Sequence, residues 1–178
     1  MSRPSARQEI AEAALAVASR VGLGALTFEA VAAEAGKTKG GILYHFPSKE
    51  DLARAVIEVL IAAWDDDAQR HLDGPFDEAT REERIVAFLL STAETDGQLE
   101  AIGDLSVLVD VTHDTDLAAI WIAHRDRWVG DIGTLTLQQQ VALAAADGIW
   151  IDEAMQQVPY PAARRDEIVA ELVRMVRG

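Results

Sequence analysis

The chain has 178 residues, enough for one large domain or two small ones, and it is 49% hydrophobic and 26% charged, as ordinary globular proteins are. It contains no cysteine, which excludes disulfide scaffolds, cysteine-ligated zinc and cysteine nucleophiles, and is compatible with a reducing cytoplasm. Its formal net charge of −14 argues against a nucleic-acid partner if the charge is spread evenly, because phosphate contacts dominate that affinity.

The N-terminal stretch MSRPSARQEIAEAALAVASR is amphipathic and carries acidic residues, so it does not read as a signal peptide. Residues 5–21 predict a first helix, with Ile10, Ala14, Leu15, Ala18 and Val21 forming an apolar stripe. Gly22-Leu23-Gly24 stops it. Thr27 is placed to cap a second helix over 28–35, with Phe28, Val31, Ala32 and Ala35 on one face and Gly36 as a left-handed C-cap. A short third helix follows over roughly 38–44, with Thr38 as N-cap and Ile42 and Leu43 facing inward, and Pro47 ends it. Ser48 and Asp51 approximate a capping box opening a long helix over 48–66. Beyond the loop at 73–76, helices are predicted over 78–94 (Ile85, Phe88, Leu89, Thr92) and 98–112 (Ile102, Leu105, Leu108, Val109). Thr115 is the expected cap of the next helix, 116–129 (Leu117, Ile120, Trp121, His124, Trp128), which Gly130 and Gly133 end. A long helix rich in small residues is expected over 136–156. After a loop at 158–161, with Pro161 at a first helical position, a last helix spans 162–176. No convincing strand alternation appears, so the fold class is all-α. No apolar run approaches the roughly 20 residues that span a bilayer, so no membrane partner is expected.

The charge is unevenly divided. Residues 1–55 hold seven basic and six acidic residues, leaving nine basic against 24 acidic for the rest, and all three lysines (Lys37, Lys39, Lys49) lie in the head. Two short helices around Gly36 give helix-turn-helix geometry, in which the second helix enters a DNA major groove. Gly40 and Gly41 each cost that helix roughly 1 kcal/mol relative to alanine, and their missing side chains allow close approach to a partner. Lys37 and Lys39 can meet phosphate or guanine, Thr38 a base edge or phosphate, and Tyr44 and His45 phosphate oxygens. Lys49 adds charge near the start of the fourth helix.

On these residues the segment LTFEAVAAEAGKTKGGILYHFPSKEDL, residues 26–52, resembles the DNA-binding signature of the TetR family of bacterial transcriptional regulators. Thr27, Val31-Ala32, Ala35-Gly36, Gly41, Leu43-Tyr44-His45-Phe46, Lys49 and Leu52 carry the match, which covers about 50 residues with the first helix included. The resemblance implies a homodimer with a DNA-binding domain over 1–47 and a helical domain over 48–178 that binds a small molecule and dimerises, helix 48–66 joining the two. It implies a repressor released from a palindromic double-stranded DNA operator by a small-molecule inducer, in the cytoplasm. The segment 143–155 is similar to the eighth helix of many members. With the last helix it would form the dimer interface, for which Ala145, Gly148, Ile151, Met155, Ile168, Leu172 and Met175 are candidates.

Trp64, Trp121, Trp128 and Trp150 lie beyond the head and have two readings, core packing or the wall of a ligand pocket. Trp121, His124 and Trp128 share one helical face, and Phe88, Thr92 and Val109 are their candidate companions in such a pocket. His113, Asp114 and Asp116 lack spaced partner ligands and read as capping chemistry, so no metal site is expected. No catalytic constellation and no cofactor motif is present. The rival to an inducible regulator is an all-α, DNA-associated structural or interaction protein without an inducer; an enzyme ranks below both.

Overall fold

The computed structural model describes residues 5–93, 98–155 and 160–178, without the side chains of 98–102. Among the described residues there are nine α-helices and no strand, as the periodicity predicts. They are α1 (Ala6–Val21), α2 (Phe28–Glu34), α3 (Lys39–His45), α4 (Lys49–Gln69), α5 (Arg81–Ala93), α6 (Gln98–Val111), α7 (Thr115–Val129), α8 (Leu137–Ala154) and α9 (Ala162–Arg177). The expected helix ends at 94 and 156, and Val158 and Pro159 of the expected loop, lie outside the described residues.

Side-chain capping sets most of the boundaries. Ser5, Thr27 and Thr38 accept from the backbone N–H of Gln8, Ala30 and Gly41 at 3.2, 3.1 and 3.1 Å, opening α1, α2 and α3. Ser48 and Asp51 cap α4 reciprocally, Asp51 N donating to Ser48 Oγ at 3.0 Å and Ser48 N to Asp51 Oδ2 at 3.2 Å. Four expectations need correction. Helix α4 continues to Gln69 instead of ending at 66. Helix α5 starts at Arg81, not 78, because Thr80 and Glu83 form a second reciprocal cap and Phe76–Glu78 is a separate 3-10 turn. The cap of α7 is Asp114 rather than Thr115, its Oδ1 accepting from the N–H of Asp116 and Leu117 at 2.9 and 3.1 Å. Leu43 does not face inward: it is 36% exposed, because Ile42 and Phe46, four residues apart and both 0% exposed, already occupy the inner face of α3.

The chain divides into two compact units, Met1–Ala62 with Gly103–Trp121, and Ala63–Ile102 with Ile122–Gly178. The core of the first holds Ile10, Ala14, Leu26, Val31, Ile42, Phe46, Leu52 and Val56, joined by Val107 and Val111 of α6. Helix α6 approaches the end of α1 closely. A Cβ on Gly103 would lie 2.7 Å from that of Ser19, and one on Gly22 (φ +81°) would lie 2.8 Å from Asp110 Oδ2. The same carboxylate oxygen accepts from Gly24 N at 3.1 Å. In the second unit Ile85, Leu89, Trp128, Val129, Leu143, Ile149, Val169 and Val176 are buried among α5, α7, α8 and α9. Arg81 donates to the carbonyl of Val129 at 3.0 Å and to Thr134 Oγ1 at 2.6 Å.

Candidate nucleic-acid interface

Helices α2 and α3 are joined by a turn whose geometry the sequence dictates. Gly36 adopts φ +61°, and Lys37 N donates back to the Ala32 carbonyl at 2.9 Å and Gly36 N to that of Ala33 at 3.3 Å. That pair of bonds is the Schellman end of a helix, which favours glycine at this position. It turns the chain directly into α3. Below α3, Ile42 and Phe46 are anchored in the core, and the Arg7 guanidinium lies 4.7 Å from the Phe46 ring centroid.

The opposite face of α3 is open. A Cβ added at Gly40 would meet nothing within 4 Å, whereas at Gly41 it would lie 3.4 Å from Thr38 Oγ1. Tyr44 is 82% exposed, with its ring edge-on to that of His45 at 5.0 Å between centroids. Thr27 and Thr38 are exposed and each uses an oxygen lone pair to cap its helix. Their hydroxyl hydrogens can still donate to a phosphate.

Each lysine has a partner within the unit. Lys37 Nζ lies 2.9 Å from Glu9 Oε2 with both side chains largely covered, which makes that pair a link between α1 and the turn. Lys39 Nζ lies 2.7 Å from Glu29 Oε1, and both side chains are more than half exposed. The Lys39 ammonium holds the Glu29 carboxyl below its usual range. Lys49 Nζ donates to the Gly24 carbonyl at 3.4 Å. Sequence reasoning missed Glu29 because its partner lies on another helix, outside any i, i+4 pattern.

In the second unit the residues considered for a ligand pocket divide. Trp64 and Phe88 lie against the His124 ring, and His124 and Trp128 both reach Asp65. The His124 ring is 6.3 Å from that of Trp64 and 5.9 Å from that of Phe88, and its Nδ1 is 3.2 Å from Asp65 Oδ1. Trp128 Nε1 donates to the same oxygen at 2.6 Å, and Arg127 to Asp65 Oδ2 at 2.6 Å. Trp128 and His124 are 1% and 6% exposed. Burial depresses the His124 pKa below its usual value, with Arg127 acting in the same direction and Asp65 opposing. Thr92 bonds back to the Phe88 carbonyl at 2.9 Å, and Trp150 is half-buried on α8. Val109, exposed, and Trp121, half-buried, belong to the first unit. Asp65 was not singled out in the sequence, since it opens a run of three aspartates that resembles a solvated face. Asp147 on α8 was also missed; burial raises its carboxyl pKa against the opposing pull of Arg125. Among the described residues no group of His, Asp and Glu side chains could hold a metal ion, and no helix is long and apolar enough to cross a membrane.

Residues 10–56 match the family described as bacterial regulatory proteins, tetR family, and residues 82–177 match the tetracyclin repressor-like C-terminal domain. A comparison with curated proteins finds no match. Among solved structures, the chain is similar to the multidrug binding protein EbrR complexed with imidazole, at 20% identity over 97% of this chain and 90% of that one, with a TM-score of 0.69. It is similar to a transcriptional regulator from Rhodococcus sp. Rha1 at 17% identity, over 97% and 96% of the two chains, with a TM-score of 0.69. It is also similar to a member of the TetR family from Streptomyces coelicolor A3 at 21% identity, over 97% and 98%, with a TM-score of 0.67. At these identities the structural likeness speaks for the fold.

Proposed function

The chain belongs to the TetR family of bacterial transcriptional regulators, and on that premise we propose that it is a homodimeric repressor released from a palindromic operator by a small-molecule inducer. In this reading residues 1–47 form the DNA-binding domain and 48–178 the ligand-binding and dimerisation domain. The observation that carries the DNA-binding part is the asymmetry of α3, in which Ile42 and Phe46 are 0% exposed while Gly40 is open and Tyr44 is 82% exposed. Such a helix is held from below and presented above. Thr27, Tyr44, His45 and Lys49 contact phosphates, Lys39 a guanine edge or a phosphate, Thr38 and Gly40 approach the bases, and Gly41 allows close packing at the helix start. Lys37 contributes through its charge and its link to Glu9.

The dimer forms along α8 and α9. Leu137 (72%), Val141 (46%) and Ile151 (38%) on α8 and its C-cap Met155 (57%) are exposed, and with Ala144 and the open Gly148 they follow each other at spacings of four and three. That repeat is the apolar seam of paired helices. Ala145, Ile168 and Met175 are half-buried beside it, and Leu172, 5% exposed, packs within its own unit. Two recognition helices related by a two-fold axis sit about 34 Å apart, one turn of DNA, or somewhat more. Inducer acts by favouring a dimer with a different spacing. Helix α4 carries the coupling, having Lys49 at one end and Asp65 near the other. The protein works in the cytoplasm and without catalysis.

A second reading is a DNA-associated structural protein without an inducer, favoured by the burial of Trp128 and His124, two candidate pocket residues that are packed as core. One experiment separates them. Binding to the chain's own upstream DNA is measured across salt concentrations, beside a thermal shift screen with metabolites; imidazole and malachite green, with which EbrR has been crystallised, are starting compounds. The regulator reading expects a compound that raises Tm and releases DNA. It also expects Lys39→Ala and Tyr44→Ala to bind at least about tenfold more weakly with Tm unchanged, roughly the 1–3 kcal/mol of a good contact. Wild-type affinity in both variants would falsify the site assignment.

A further inference from the structure

Why should an acidic side chain lie on the surface that faces DNA? Glu29 is in the first turn of α2 and Lys39 is the first residue of α3, and their side chains are 64% and 54% exposed. They meet at 2.7 Å. The pair is not needed to build the head, which has its capped helices, its Schellman turn and the largely covered Lys37–Glu9 link. An exposed ion pair of this kind adds little to stability.

Its effect on DNA is larger. An unpaired lysine beside a recognition helix is attracted to any duplex, whatever its sequence, because phosphates are everywhere. We propose that Glu29 is a specificity-determining residue, which holds Lys39 on its carboxylate and cancels its attraction to phosphate until α3 sits in a register that offers the ammonium a better acceptor. The inference rests on the DNA-binding reading above. On an arbitrary duplex the pair is electrically neutral, and the Glu29 carboxylate also repels the backbone. On the operator, Lys39 exchanges the carboxylate for its own DNA acceptor, and the completed set of contacts outweighs the lost pair. Glu29 therefore weakens binding everywhere but weakens wrong sites most, which widens the ratio between right and wrong partners. Lys37 cannot play this part, since leaving Glu9 would loosen the joint between α1 and the turn.

The test uses the full-length protein and a random-sequence 30-mer duplex, titrated by fluorescence anisotropy over a range of KCl concentrations. Glu29→Gln keeps the shape and removes the charge. It should tighten random-duplex binding about two- to fivefold at low salt, the worth of one exposed pair. It should also steepen the plot of log K against log salt by about 0.9, one added phosphate contact. In a Lys39→Met background the same substitution should give a clearly smaller gain and no added phosphate contact in the salt slope, since only the carboxylate's own repulsion is then relieved. Unchanged or weaker binding by Glu29→Gln overturns the proposal, as does a gain equally large without Lys39, which would reflect plain repulsion. A wild-type chain that binds no duplex at low salt overturns the DNA-binding reading itself, a different result from either.

Discussion

Gly40 is tolerated in α3 at a cost that its own fold does not require. Its φ is not positive, and a side chain there would meet open space, unlike Gly36, whose φ of +61° the turn needs. Gly40→Ala should therefore stabilise the chain by about 0.5–1 kcal/mol, the ordinary helical difference between the two residues. If DNA approaches at this point, the same substitution lowers duplex affinity. The two effects have opposite signs, so a denaturation curve beside a binding curve checks them together; an alanine variant that binds DNA as wild type does removes the close approach. At this scale the sequence was a good guide wherever chemistry is local. Thr27, Thr38, Ser48 and Gly36 act within four residues of themselves, and a capping rule reads them directly. Leu43 misled because in a seven-residue helix two adjacent apolar positions leave the inward one undetermined, and only the position of Phe46 decides it.

Between elements, the Asp65 carboxylate fastens α4 to α7. It accepts from the buried Trp128 indole, and from Arg127, and faces the His124 ring. Asp65→Ala leaves the indole N–H without its acceptor and should cost about 1–3 kcal/mol in chemical denaturation. The histidine makes this region sensitive to acid. Its folded pKa is depressed, so below the ordinary histidine pKa of about 6.5 the unfolded chain takes up the proton more readily than the folded one. Stability is retained above that pH and falls as pH drops through and below it. His124→Gln should flatten this acid limb in a series of pH-dependent melts, while an unaltered limb would assign the loss to other groups. Asp147 works in the opposite sense. Its raised pKa means that the folded chain binds the proton more readily, so its burial is unfavourable at neutral pH and is relieved by acid. None of this was legible in the periodicity, which located Trp121, His124 and Trp128 on a common face but could not show that Asp65, about 60 residues earlier, lies against two of them.

For the whole molecule, the apolar seam on α8 predicts the assembly. Val141→Asp places a charge in the middle of the proposed interface at a position 46% exposed in the single chain. Sedimentation should show a monomer with its helical content intact and operator binding lost; a stable dimer would locate the interface elsewhere. The order of helices and the family were readable because caps and stripes repeat along the chain. What periodicity could not show is that residues 103–121 pack with the N-terminal head. Helix α6 meets α1 through Gly103 on Ser19 and through Asp110 on Gly22 and Gly24, contacts that link positions more than 80 residues apart. A fragment of residues 1–62 therefore lacks part of its own core, Val107 and Val111 included, and should melt well below the intact chain. The same joint limits recombination. A chimera that takes its whole N-terminal head from another family member and the rest from this chain inherits Asp110 without choosing it. Donors with glycine at position 22 and any residue but proline at position 24 will seat on that carboxylate without strain. A head exchanged between this chain and a relative therefore needs its 22–24 loop and its sixth helix from the same parent.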